Sequence, residues 1–153
     1  MSTYKMYAGW GDMDFNSHMA NTAYINKSGD SRMRFFSENG FPTEEFTRLR
    51  IGPVVQKDEL HYFREIKLLE SFDVSILISA MSEDGSRFSI RNEFFNEEGV
   101  LAAKIDSSGG WMDLIKRRLV VPPVQLQRVM DKLPKTDDFY ELPPILNKEH
   151  TSA

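Results

Sequence analysis

Between Phe72 and Ile105 the chain repeats one pattern three times, and that repetition limits the possible folds more than any other feature. "SFDVSILISAM" places Phe72, Val74, Ile76 and Ile78 on one side. "SRFSIRNEFFN" sets Phe88, Ile90, Asn92 and Phe94 against Arg87, Ser89, Arg91 and Glu93. "VLAAKIDSSGGWMDL" alternates Leu101, Ala103 and Ile105. Strand side chains point to opposite faces in turn, so each segment reads as a strand with one buried face. The connections, Glu83 to Gly85 and "NEEG", are tight turns, which join antiparallel neighbours. From Ile51, "IGPVVQKDELHYFREIKLL" adds another β-rich stretch, broken at its start by Gly52 and Pro53.

Ahead of these strands lies one long helix. "TYKMYAGW" reads as a short strand running into a turn flanked by Gly9 and Gly11. From about His18 to Asn39 there is no proline, and "NGFP" then supplies a helix stop. Tyr24, Ile25, Ser28, Gly29, Arg32, Phe35 and Phe36 share one face at helical spacing. Ser28 and Gly29 are poor helix formers, each costing under about 1 kcal/mol relative to alanine, and predict close backbone approach to another element. Arg32 on that arc must snorkel to water or find a carboxylate. "PTEEFTRLR" predicts a second, short helix with acids early and bases late, matching the helix dipole. The segment beyond Pro122 carries one amphipathic helix, about Val124 to Leu133, followed by a proline-punctuated tail expected to be irregular. The predicted class is α+β. One helix cannot cover both faces of such a sheet, so the sheet wraps around it or a second subunit buries the other face.

Composition narrows the function. At 153 residues, 41% hydrophobic and 27% charged, the chain has the make-up of a single globular domain. It has no cysteine, which removes disulfides, thiolate zinc sites and cysteine nucleophiles together. The net charge of -4 disfavours nucleic acid as the main partner. The one basic run, Lys116 to Arg118, is too short for a nucleic-acid arm. No window approaches the roughly 18 apolar residues of a membrane span, and the N-terminus lacks the order of a secretory signal. A cytoplasmic location is the expectation.

The chemistry concentrates in "GDMDFNSHMANTAY", residues 11 to 24. Its acids open like an EF-hand loop, but Ser17 stands where the sharp turn needs glycine, and Ala23 where a bidentate glutamate is needed. A transition-metal set of Asp12, Asp14 and His18 finds no further ligand at suitable spacing, so no metal is expected. There is no G-x-S-x-G; of the three histidines, His61 lies in a strand and His150 in the tail. A plain reading is that Asn16, Ser17 or Asn21 caps the helix while an aspartate favours its positive end. That leaves Asp14, His18 and the second asparagine without a role. The alternative uses the same geometry for chemistry: a helix N-terminus offers unpaired N–H donors to an oxyanion, and a carboxylate just before it acts on the carbonyl carbon. A thioester suits a single carboxylate, because its thiolate leaves with a conjugate-acid pKa near ~8.5 and needs no strong general acid.

This stretch resembles the D-x-x-G-H-V-N-N-x-x-Y signature of hotdog-fold acyl-CoA thioesterases of the 4-hydroxybenzoyl-CoA thioesterase type. The resemblance covers about residues 4 to 121 and implies a hotdog fold, an antiparallel sheet wrapped around one long central helix. It makes residues 1–121 the thioesterase-like domain and 122–153 a C-terminal helix and irregular tail packed on it. It also implies a homodimer or homotetramer with the site at the subunit interface. The family's catalytic aspartate falls on Asp14, its histidine on His18, its second asparagine on Asn21 and its tyrosine on Tyr24. Its oxyanion donor, a backbone N–H at the helix start, falls near Asn21. The chain departs from the pattern at Ser17, where glycine is usual, at Ala20, where the first asparagine stands, and at "KSGDSR", where Asp30 takes the place of a helix glutamate.

The implied function is hydrolysis of an acyl- or aroyl-CoA thioester, with Asp14 as general base or nucleophile. Coenzyme A enters as part of the substrate, no separate cofactor is expected, and Arg87, Arg91 and Lys116 are the candidate cations for its phosphates. The competing expectation is a hotdog protein that binds acyl-thioesters or a protein partner without turnover. A dehydratase would need a paired acid and histidine along the helix, and no such pair is present.

Overall fold

The computed structural model describes residues 2–145, so His150 lies outside the described residues. Seven strands and three helices run in the order β1 (Thr3–Tyr7), α1 (Asn21–Glu38), α2 (Thr43–Leu49), β2 (Ile51–Tyr62), β3 (Ser71–Ser82), β4 (Arg87–Phe95), β5 (Leu101–Asp113), β6 (Arg118–Leu119), α3 (Val124–Met130) and β7 (Lys135–Leu142). A single curled sheet has the order β1-β3-β4-β5-β2, all neighbours antiparallel. β6 extends the β5 edge as a short hairpin. The α+β class expected from the strand pattern, and the hotdog arrangement that the resemblance implies, are the observed ones: α1 lies against the inner face of the sheet.

Alternation sets which face is buried. Phe72, Val74, Ile76 and Ile78 are all buried, as are Phe88, Ile90, Asn92 and Phe94. Helix α1 stops where "NGFP" predicts: Gly40 takes a φ of 89° and Phe41 N–H returns to the Phe36 carbonyl at 2.8 Å. Helix α2 has Glu44 and Glu45 in its first turn, and Arg48 holds Glu45 through two bonds of 2.9 and 3.0 Å.

Three expectations need correction. The tail is not irregular throughout: β7 joins the sheet, parallel to β3, and continues the edge that β1 covers earlier. Helix α1 begins with Ala20 as its N-cap and no side-chain cap bond; Asn16, Ser17 and Asn21 do not cap it. Gly29 is not pressed against another element. A Cβ built there would meet only the Arg32 Nη2, at 3.9 Å, so the position opens into space.

The core has two parts. Phe35 and Phe36 of α1 pack with Phe46, Ile76, Ile90, Trp111 and the α3 residues Leu126 and Met130. Tyr24 and Ala23 pack with Phe72, Val74, Phe94 and Ile105. Between these clusters in sequence and in strand register runs a polar belt of Ser28, Ser31, Ser75, Asn92 and Ser107, all buried. Asn92 Nδ2 donates to Ser31 Oγ at 2.8 Å and to the Ser75 carbonyl at 3.1 Å. A buried amide needs such partners, and the bonds orient its oxygen toward Arg32.

Candidate active site

The loop before α1 folds as a tight hairpin. Met13 pairs with Met19, and Asp14 N–H donates to the His18 carbonyl at 2.7 Å. Ser17 closes the turn with a φ of 61°, a left-handed conformation that glycine adopts without steric cost. Asp14 fixes the turn with half of its carboxylate: Oδ1 accepts the Asn16 N–H at 2.8 Å and the His18 N–H at 3.1 Å. Among the described residues, Oδ2 accepts no hydrogen bond and faces an exposed surface.

Two residues farther on, Ala20 N–H donates to the Asp12 carbonyl at 2.8 Å and α1 begins. The first helical N–H, that of Asn21, has no acceptor among the described residues; the next, Thr22 N–H, turns to Asn21 Oδ1 at 3.1 Å. The stretch therefore carries an oriented, half-free carboxylate at Asp14 and, farther along the chain, the open first N–H of an 18-residue helix at Asn21.

The other members of the cluster separate. Asp12 accepts the Gly9 N–H at 2.8 Å and pairs with Lys27 Nζ at 3.2 Å, with both side chains largely buried. It is a structural acid, and Lys27, which sequence reasoning missed, neutralises it. His18 contributes its backbone to the Asp14 turn and directs its Nε2 to Glu65 at 3.1 Å. Glu65 was also missed; no short-range spacing links it to the loop. Tyr24 is 3% exposed, with its ring edge-on to Tyr62 at 5.4 Å and Phe94 at 5.1 Å. Burial, and then Tyr62 and the carboxylates Glu70, Glu65 and Asp14, push its pKa up to about 12. It is a neutral core residue on the Asp14 side of the helix.

The three candidate phosphate contacts are not gathered at this loop. Arg87 and Arg91 lie on the outer face of β4, opposite the buried Phe88, Ile90 and Asn92. Arg87 Nη1 donates to the Pro143 carbonyl at 3.0 Å. Arg91 holds Asp106 at 2.9 Å through Nε and Asp138 at 3.1 Å through both terminal nitrogens. Lys116 lies in the β5–β6 turn, where its backbone N–H bonds Asp113 Oδ1, and its ammonium makes no ion pair among the described residues. His61 is exposed and bonded to Glu59 at 2.9 Å. Among the described residues no three His, Asp or Glu side chains converge as a metal site. No helix there is long and apolar enough to cross a membrane.

Comparison with known proteins agrees with this architecture. Residues 8–132 match the model of the thioesterase-like superfamily. The chain is similar to a hypothetical protein of Staphylococcus aureus solved in complex with CoA, with a TM-score of 0.76, 21% identity, and coverage of 95% of this chain and 90% of that one. It is also similar to a 1,4-dihydroxy-2-naphthoyl-CoA thioesterase from Synechocystis, with a TM-score of 0.76, 14% identity, and coverage of 86% and 96%. A probable thioesterase from Escherichia coli gives a TM-score of 0.72, 17% identity, and coverage of 86% and 97%. At these identities the structures show a shared fold. No curated protein matches the sequence. The family match spans the loop before α1, the central helix, the strands β2 to β6 and α3, and the chain belongs to the thioesterase-like superfamily.

Proposed function

We propose that the chain hydrolyses acyl- or aroyl-CoA thioesters, with Asp14 as general base or nucleophile and the Asn21 N–H as oxyanion donor. The observation that carries this reading is the division of labour within one carboxylate. Asp14 Oδ1 holds the turn, which fixes the group, while Oδ2 accepts no hydrogen bond and the Asn21 N–H at the start of α1 has no acceptor, both among the described residues. As a base, Oδ2 takes a proton from water as the water oxygen attacks the thioester carbon. As a nucleophile, Oδ2 bonds to that carbon, thiolate leaves, and water then opens the mixed anhydride. In both cases negative charge gathers on the former carbonyl oxygen, where a fixed N–H and the positive helix end stabilise it.

The CoA-bound neighbour and the neighbours named as thioesterases support a CoA thioester as substrate. Arg87, Arg91 and Lys116 are the proposed phosphate contacts. Lys116 is the best placed electrostatically, because Arg91 is already matched by two carboxylates. His18 and Tyr24 position the site, the first through its backbone and the second through packing.

We further propose that two or four copies assemble with the site at their interface. β2 is a 12-residue edge strand with an unpaired outer side, a surface that associates readily. Phe15, fully exposed beside Asp14, and Trp10, 82% exposed, are apolar groups that a partner would cover. Sedimentation at the mass of one chain contradicts this assembly. The activity is tested by thiol release from a panel of acyl- and aroyl-CoAs. Release from at least one member is expected, and silence across the panel favours a protein that binds thioesters without turnover.

A further inference from the structure

Alongside α1 is a cavity of about 430 Å³, within the size range of small-molecule sites. Its apolar walls come from Ile25, Met33 and Phe36 of α1, Val55 of β2, and Phe88 and Ile90 of β4. At its polar end stands Arg32, also on the cavity wall with Ser107. Arg32 is half-buried and, among the described residues, pairs directly with no acid. Its Nη1 donates to Asn92 Oδ1 at 3.3 Å and to Ser107 Oγ at 3.4 Å, and the nearest acid in that chain of bonds is Asp58, which takes the Ser107 hydroxyl at 2.6 Å. Burial pushes the guanidinium pKa down from its ordinary value, against the pull of Asp58.

The important detail is which part of the guanidinium is used. The polar belt holds Nη1 alone. Among the described residues Nε and Nη2 have no partner, and they form the fork edge that takes a carboxylate through two parallel N–H···O bonds. The missing side chain at Gly29 leaves Nη2 open on the cavity side. Asp30 also lines the cavity but is exposed at its rim. A half-buried cation in an apolar chamber is costly without an anionic partner.

We propose that this cavity receives the acyl part of the thioester, and that the acyl group carries a carboxylate at its far end which the Nε–Nη2 edge of Arg32 grips. The substrate class is then an ω-carboxyacyl thioester, the monothioester of a dicarboxylic acid. This rests on the hydrolase reading for where the carbonyl sits. The cavity starts at Ile25, one turn past Asn21, and Arg32 lies eleven residues past Asn21, about 16 Å along the axis. Helix side chains lean back toward the N-terminus, which shortens that span to the reach of a medium-length chain.

The test compares suberyl-CoA with octanoyl-CoA, equal in carbon count and different only in the terminal carboxylate. Wild type is expected to favour suberyl-CoA in kcat/KM by at least about tenfold, the effect of a charge-assisted pair, and Arg32→Met to abolish or reverse that ratio. Arg32→Lys, which keeps the charge and loses the fork, is expected to give an intermediate ratio and serves if the Met variant does not fold. Free suberate in titration calorimetry is expected to bind wild type and not Arg32→Met. If no thioester is cleaved, the hydrolase reading fails and the suberate titration alone decides this one. A wild-type preference for octanoyl-CoA, or suberate failing to bind, overturns the proposal. So does a ratio unchanged by Arg32→Met, including the case where that variant instead weakens subunit association because a partner's carboxylate occupies the fork.

Discussion

Asp14 and His18 clasp each other across a tight turn. The Asp14 N–H reaches the His18 carbonyl at 2.7 Å, and Asp14 Oδ1 takes the His18 N–H at 3.1 Å. The clasp depends on Ser17, whose left-handed backbone costs a non-glycine residue about 1 kcal/mol. Ser17→Gly removes that strain but adds freedom to the unfolded chain, so a gain of no more than about 1 kcal/mol is expected, with thiol release retained. Ser17→Val puts a β-branched side chain in the same conformation and is expected to cost about 1–2 kcal/mol and depress release. Denaturant midpoints and initial rates of the two variants check both.

Gly109 tests the sheet that carries the cavity. A Cβ on it would collide with the Val54 carbonyl oxygen, and the obstacle is backbone of β2, next to the register shift between Val55 and Lys57. Gly109→Ala is therefore expected to cost about 3 kcal/mol, the upper range for forced overpacking. Urea unfolding of the variant gives the number, and a loss below measurement error contradicts the register.

Tyr4 and Tyr24 set an alkaline signature. Burial raises both to about 12, reinforced by Glu38 for Tyr4 and by Tyr62 for Tyr24. The unfolded chain releases these protons near pH 10, while the native chain holds them to about 12. Their contribution to stability is thus complete below pH 10 and declines as pH rises through 12. Ultraviolet titration of tyrosinate is expected to show a late component that Tyr24→Phe reduces by one residue.

The attachment of β7 has an acid signature. Asp138, bonded by Arg91, has its pKa lowered to about 2, so its contribution is complete above about 3.8 and is lost as pH falls through 2. Arg91→Met also strips Asp106, a largely buried partner, and is expected to cost about 2 kcal/mol. Amide exchange localises the effect: β7 amides are expected to exchange faster at low pH and in the variant, with β3–β4 amides less affected.

The elements with alternating or helical periodicity were legible in the sequence because one face of each is buried. β7 was not: most of its residues are exposed, no apolar alternation marks it, and it is held by an edge ladder, the distant Arg91 and Phe139 packed against the core. Asp12 and Asp14 look equivalent in sequence. What separates them is Lys27, on α1, which occupies the first and leaves half of the second open. Arg32 was visible as a charge on an apolar arc, but the partners that hold it come from β4 and β5, far along the chain. Asn92, a lone amide among inward-facing apolar residues, was the available sign of the belt.

Asp14 Oδ2 is the proposed reacting atom. Asp14→Asn is the direct test, because an amide oxygen can still accept the Asn16 and His18 N–H groups and keep the turn. With an unchanged melting temperature as control, thiol release from the best acyl-CoA of the panel is expected to fall by about a hundredfold or more, the scale of a lost general base. Release at the wild-type rate from a folded Asp14→Asn protein would contradict the account.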